Sequence, residues 1–381
     1  MKNIVIVVVS FLVLSSCSEE TKKRYTLDAP KPPPLSDKVE KKAELVEFLS
    51  NINQLTFAGK RSGESYFSTD GTQLIFQSER LDDNPYYQIY KMDLDLGDVE
   101  MISNGIGKTT CAWIHPDGEQ MLYASTHLDP SAKEKQKDEL DFRASGKQRR
   151  YSWDYDEYYD IFIKDNSGTH QVTSELGYDA EGSFSSDGKW IVFASNRNGF
   201  NDKAKNMSEK DKKTFSMDPS YMMDIYIMKA DGSEVKQLTT HLGYDGGPFF
   251  SPDNKKIVWR RFAANGATAE IFIMNIDGSD EKQLTHTNSM SWAPYFHPSQ
   301  KYIIFTTNTN GFANFELYIV DIEGKQDPIR VSDMTGFDGL PVFTPKGDEM
   351  YWTRKKDNNN VSQIYRASWD HQAALKALKL N

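Results

Sequence analysis

An aliphatic residue followed by Thr or Ser stands sixteen positions before a tight-turn tetrad six times in this chain. The pairs are Leu55-Thr56, Ile102-Ser103, Val172-Thr173, Leu238-Thr239, Leu284-Thr285 and Val331-Ser332, and the turns end at Gly71, Gly118, Gly188, Asn254, Gln300 and Gly347. A fixed internal period marks a repeat architecture, and it constrains the fold more than any composition does. A third landmark recurs in each unit, a polar residue before an aliphatic-aromatic pair: Gln88-Ile89-Tyr90, Asp160-Ile161-Phe162, Asp224-Ile225-Tyr226, Glu270-Ile271-Phe272, Glu316-Leu317-Tyr318 and Gln363-Ile364-Tyr365.

Four short apolar runs are legible per unit. In the fourth unit they cover 248–251, 256–260, 270–275 and 236–239, each rich in Val, Ile, Phe or Tyr, as strands are. The intervening "SPDN" and "DGS" are turn chemistry, because Pro presets φ while Asp, Asn and Gly tolerate positive φ. Four antiparallel strands repeated about every 46 residues predict an all-β, six-bladed β-propeller of four-stranded blades. The strand around Leu55 precedes any unit of its own, and the sixth unit lacks a fourth strand of that type. The expectation is that the N-terminal strand completes the last blade, which removes open edges.

The organisation expected is a signal peptide over 1–17, a Pro-rich linker over 18–36, a short helix over 37–50, the propeller over 51–370 and a tail over 371–381. The uncharged run from Ile4 to Leu14 is too short to span a bilayer and has a secretory layout. It ends in Leu14-Ser15-Ser16-Cys17, which resembles a bacterial lipobox, and that resemblance implies lipidation at Cys17. Ser18 after the Cys implies outer-membrane sorting, with the periplasmic side expected. Pro30, Pro32, Pro33 and Pro34 make an extended spacer. The 55 acidic against 45 basic residues, a net charge of −10, argue against nucleic acid as partner. With Cys17 and Cys111 as the two cysteines, no disulfide framework is expected, and Cys111 reads as an inert thiol on an inner strand.

The "FSTDG", "HPDG", "FSSDG" and "FSPDN" turns, an "IVFAS"-type strand and then "DIYIM…DGS…QLT" resemble the WD40-like repeats of the TolB family over roughly 52–366. That resemblance implies a periplasmic six-bladed propeller that binds protein partners in the cell envelope. The family's namesake carries an α/β domain before the propeller, where this chain offers a linker and one helix.

Strand parity puts the connection between strands two and three on the same face as the loop leading into strand one, here the top face. From turn end to third strand takes 17 or 18 residues in four units, but 43 in the second and 37 in the third. Loops on a rigid scaffold carry function. The first insertion contains a solvated, charge-alternating helix and then Arg149, Arg150, Tyr151, Trp153, Tyr155, Tyr158 and Tyr159; the second contributes Tyr221. Aromatics and Arg dominate interface hot spots, so these residues are the expected partner-binding set, for an envelope protein. A second candidate is the channel mouth, where Ser62, Thr109, Asp179, Asp245, Ser291 and Asp338 stand nine positions before each turn end. Three carboxylates there would hold a cation or amine; the alternative is loop capping, with Tyr178, Tyr244 and Phe337 wedged between blades.

No G-x-S-x-G, H-E-x-x-H or P-loop pattern occurs, so the expectation is a non-catalytic protein with no cofactor and no metal. One enzymatic alternative is a resemblance to oligogalacturonate lyases, which implies a metal-dependent carbohydrate-active site. His127, His241 and His286 are its candidate ligands. His115 and His297 sit in turns on the opposite face and read as structural.

Overall fold

The computed structural model describes residues 47–147, 154–355 and 361–380. The signal, the linker, Cys17, Arg149, Arg150, Tyr151 and Trp153 lie outside the described residues. Within them the regular structure is mostly short antiparallel strands.

The landmarks acquire a physical reason. In all six units the hydroxyl of the Thr or Ser accepts the N–H of the aliphatic residue that opens strand three, at 2.9–3.0 Å. In five of them it also donates to the polar residue just before: Gln88, Asp160, Asp224, Glu270 and Gln363. One side chain thus ends the fourth strand and satisfies the start of the third. In the first four units the turns work as Asp-capped loops. Asp70 Oδ1 accepts from Thr72 N–H at 3.0 Å and from Ser68 Oγ at 2.6 Å. The residue ending each turn is left-handed, which Gly71 does freely and Gln300, at φ 58°, does at a cost.

Four sheets stand alone with four strands each, and eight further strands form one sheet. The expectation of six separate sheets is therefore corrected. The eight-stranded sheet has two antiparallel halves, one containing Asp179–Phe184 and the other Gly243–Phe250. A two-residue parallel pairing, Met222 with Gly243 and Met223 with Tyr244, joins them. The same parallel contact recurs in weaker form at other junctions between units. Asp179 N–H donates to the Tyr159 carbonyl at 2.9 Å, Asp338 N–H to Phe315 at 2.9 Å and Ser62 N–H to Ser362 at 2.8 Å.

Leu49–Gln54 pairs antiparallel with Gln363–Trp369, so the N-terminal strand completes the last sheet. This corrects the end of the expected helix, since residues 49 and 50 are already strand. Pairing with a waiting edge overrides the local apolar stripe. Asn51 is left-handed there and the register slips between Ser50 and Asn53, a bulge that blunts the exposed edge. The tail expected over 371–381 contains a helix, His371–Ala377, capped by Asp370, whose carboxylate accepts from Ala373 N–H at 2.9 Å. Ala374 and Leu378 bury against Phe48 and Trp369, sealing the outer side of that seam. The core lies between neighbouring sheets, built on fully buried second strands such as Ile191–Phe193 and on Trp259 and Trp352.

Candidate functional site

All six mouth residues are buried, and each faces a partner in the adjoining strand or loop rather than an open ring. This corrects the expected ligand-binding arrangement. Ser62 Oγ lies 2.8 Å from Ser78 Oγ, Ser291 Oγ donates to Thr307 Oγ1 at 3.1 Å, and Thr109 Oγ1 donates to the Tyr87 carbonyl at 2.8 Å. The three carboxylates are held by guanidinium groups. Asp245 takes two hydrogen bonds of 2.7 Å from Arg261, Asp338 two of 2.7 Å from Arg354, and Asp179 takes Arg197 Nη2 and Ser195 Oγ, both at 2.5 Å. Burial still pushes the Asp179 and Asp245 carboxyls up against those lowering contacts. The wedging residues behave as capping requires, with Tyr178 and Tyr244 buried and Phe337 packed on Trp292 and Phe315.

Two positions further along each inner strand, sequence reasoning missed a second ring. Glu64, Cys111, Glu181, Gly247, Ala293 and Leu340 are all left-handed, and each sits in a register shift. A bulge of this kind re-aims a side chain. The freed N–H groups find side-chain acceptors on other units: Glu64 N–H on Thr353 Oγ1 at 3.0 Å, Leu340 N–H on Thr306 Oγ1 at 3.2 Å and Gly247 N–H on Glu181 Oε2 at 2.5 Å. Glu181 also accepts from Tyr244 Oη at 2.6 Å and Arg260 Nη2 at 2.7 Å. Across from it, Glu64 Oε1 accepts from Cys111 Sγ at 2.9 Å and Tyr66 Oη at 3.3 Å. Burial raises the Glu64 carboxyl and pushes the Cys111 thiol well up, so the half-buried thiol is a proton donor and a poor nucleophile. Next along the strands, Tyr66, Trp113, Phe249 and Tyr295 meet at centroid distances of 4.7–6.5 Å. They come from the first, second, fourth and fifth units, so this cluster closes the axis with aromatic rings.

The insertions rise from the same kind of connection in adjacent units. The first contains helix α1, Ala132–Ala144; the second contains helix α2, Glu209–Met217, with Ser208 accepting from Asp211 N–H at its start. Of the predicted contact aromatics that are described, Tyr159 and Tyr221 are buried and Tyr155 is half-buried, accepting from Asn196 Nδ2 at 3.0 Å and stacking on Tyr178. They pin the insertions to the sheets, which corrects their assignment as a free contact surface. Tyr158 is 42% exposed.

Nine of the fourteen exposed large hydrophobic side chains among the described residues lie in top-face loops. At four junctions, one comes from each side: Val361 with Phe57, Tyr158 with Leu176, Met217 with Leu242, and Phe312 with Met334; Leu128 is the ninth. Backbone contacts between the paired loops include Gly177 N–H to the Glu157 carbonyl at 3.1 Å and Phe315 N–H to Gly336 at 2.9 Å. Phe57 and Phe312 are each 77% exposed.

The candidate histidines are apart. His127 Nδ1 lies 2.9 Å from Ser125 Oγ with its ring on Phe162, His241 lies 3.7 Å from Glu281, and His286 Nδ1 accepts from Gln283 at 3.0 Å. Among the described residues no three His, Cys, Asp or Glu side chains converge as metal ligands would. His115 and His297 each bond through Nε2 to the carbonyl of the next unit's turn glycine, Gly188 and Gly347, at 3.1 Å.

Residues 207–311 match the family described as the TolB beta propeller domain. No curated protein matches the chain. A putative TolB from Agrobacterium tumefaciens is similar in structure, with a TM-score of 0.54 and 17% identity, covering 84% of this chain and 97% of its own. So is an oligogalacturonate lyase from Vibrio parahaemolyticus, with a TM-score of 0.52 and 12% identity, covering 86% and 96%. At such identities the likeness concerns the fold alone.

Proposed function

We propose that this chain, whose residues 207–311 match the TolB beta propeller domain, is a non-catalytic interaction scaffold of the bacterial cell envelope, gripping a protein partner with its top face. The concentration of exposed apolar side chains on that face carries the reading. Exposed apolar side chains gathered on one face mark an interaction site, and loops on a β-propeller present them rigidly. We read the eight-stranded sheet as two blades touching through a lengthened junction, which gives six blades. A lipid on Cys17 would anchor the protein to the outer membrane, facing the periplasm. No described helix is long and apolar enough to cross a membrane.

The test is photo-crosslinking in cells expressing the full chain, with the reactive residue at Phe57, Phe312 or Tyr158 and, as control, at Leu96 in a bottom-face loop. The expected outcome is one protein adduct shared by the top-face sites and missing from Leu96. Equal labelling from both faces sinks the reading, as would stoichiometric transition metal lost on replacing His241 and His286, which would instead support the lyase alternative.

A further inference from the structure

Helix α1 is attached to the sheets mainly through polar side chains. Ala132, Gln136, Glu139 and Arg143 recur at helical spacing and form the face turned to the sheets. The buried residues of the helix are Ala132, Gln136 and Glu139, with Lys135, Leu140, Phe142 and Arg143 half-buried beside them. So the inward face is mostly polar, where an amphipathic helix would present Leu, Ile or Val.

What holds it is a set of ion pairs and polar bonds at both ends. Arg143 donates to Glu79 at 2.7 Å, to Glu139 at 2.8 Å and to the Pro85 carbonyl at 3.0 Å. Lys135 lies 2.7 Å from Asp129 and 2.8 Å from Asp156, and Lys108 adds contacts to Asp154 and Asp156 at 2.8 and 3.4 Å. In the middle, Gln136 accepts from Gly107 N–H at 2.9 Å and Tyr86 Oη donates to the Lys135 carbonyl at 3.0 Å. Between the helix and the first unit lies a groove of about 510 Å³, with Leu81, Met101, Ile106 and Leu140 as its apolar wall and Lys133 and Lys137 on its helical rim.

Opening such a contact returns charges to water, so the Coulombic loss is largely offset by hydration, while little apolar area is exposed. Segments with few buried apolar contacts open at free energies far below that of the whole domain. We propose that α1 is a strap that leaves and regains the sheets as a unit, its closed position set by ion pairs, so that its opening removes one wall of the groove beside the first unit. This rests on how α1 packs and stands whether or not the top face grips a protein.

Hydrogen exchange read by mass spectrometry on the full chain tests it, comparing peptides over 132–144 with those over 73–79 and 121–125. The expected result is exchange at least about 100-fold faster in α1 than in the strands. Raising salt from 0.1 to 1 M, which shortens the screening length from about 10 to about 3 Å, should accelerate α1 several-fold and leave the strands unmoved. Arg143→Gln and Lys135→Gln, both on the strap itself, should each do the same at low salt. Exchange of α1 at the pace of the strands overturns the proposal. So does fast exchange indifferent to salt and to both substitutions.

Discussion

The six mouth positions divide into two groups that share backbone and burial but differ in chemistry. In units one, two and five the residue is Ser62, Thr109 or Ser291, and a hydroxyl or carbonyl answers it. In units three, four and six it is Asp179, Asp245 or Asp338, and an arginine answers it. A left-handed bulge follows two residues later in either case. The position therefore asks for a polar group that a neighbour can satisfy, and charge is optional. Charge changes the consequence of error: a neutral pair loses one modest hydrogen bond, whereas a buried ion pair robbed of one member strands the other.

The sharpest way to break this division is Asp338→Ala. It leaves the Arg354 guanidinium, which is 7% exposed, with no carboxylate. The expected loss is about 3–5 kcal/mol, read from urea unfolding midpoints. Replacing both members, Asp338→Leu with Arg354→Met, should recover most of it, because a buried pair is worth little against apolar residues of similar volume. A single-variant loss below about 1 kcal/mol would erase the distinction between the groups.

The same division is only partly written in the chain. Ser78, Ser195, Arg261, Thr307 and Arg354 stand sixteen positions after their mouth residue in five of the six units, while Arg197 stands eighteen after Asp179 and Thr109 is answered by the Tyr87 carbonyl. That spacing of sixteen was legible, and it turns a supposed ring of free carboxylates into cross-strand pairs. The bulge ring was not. Left-handed backbone announces itself through Gly or Asn, and Glu64, Cys111 and Glu181 carry no such mark; only Gly247 does. Burial of the insertion aromatics was equally silent, since Tyr159 and Tyr221 would read the same on a contact surface as in a hinge. The strand at Leu49 depended on an edge more than 300 residues away, which no local window contains.

A milder test uses the second polar ring, at the start of strand three, where Gln88 and Gln363 do the work that Asp160 and Asp224 do elsewhere. Burial, and then the charge of Asp245, pushes the Asp224 carboxyl up to about 8; burial and Asp179 push Asp160 up to about 7. A carboxyl whose folded pKa is raised favours the folded state when protonated. Stability from it is therefore full below about pH 4 and falls as pH rises toward 8. Asp224→Asn keeps an acceptor for Thr239 and never ionises. Relative to the parent it should be nearly neutral at pH 4 and gain at least about 1.4 kcal/mol at pH 9, one pKa unit's worth. A variant that tracks the parent at both pH values would mean that the carboxylate is solvated when charged.

The smallest effect belongs to the hydroxyl group of units. Ser291 Oγ bridges Thr307 Oγ1 at 3.1 Å and Thr287 Oγ1 at 2.8 Å, inside a site with no solvent exposure. Ser291→Ala removes both bonds, yet each threonine keeps another acceptor or donor: Thr307 lies 3.1 Å from Thr309 Oγ1, and Thr287 reaches Glu270. The expected loss is about 1 kcal/mol, seen as a small shift of the urea midpoint with an unchanged slope. A loss of 3 kcal/mol or more would put the hydroxyl pair on a level with the Asp–Arg pair. Charge would then explain nothing about how the mouth is held, and a shared demand of the bulged strand for its polar anchor would have to replace it.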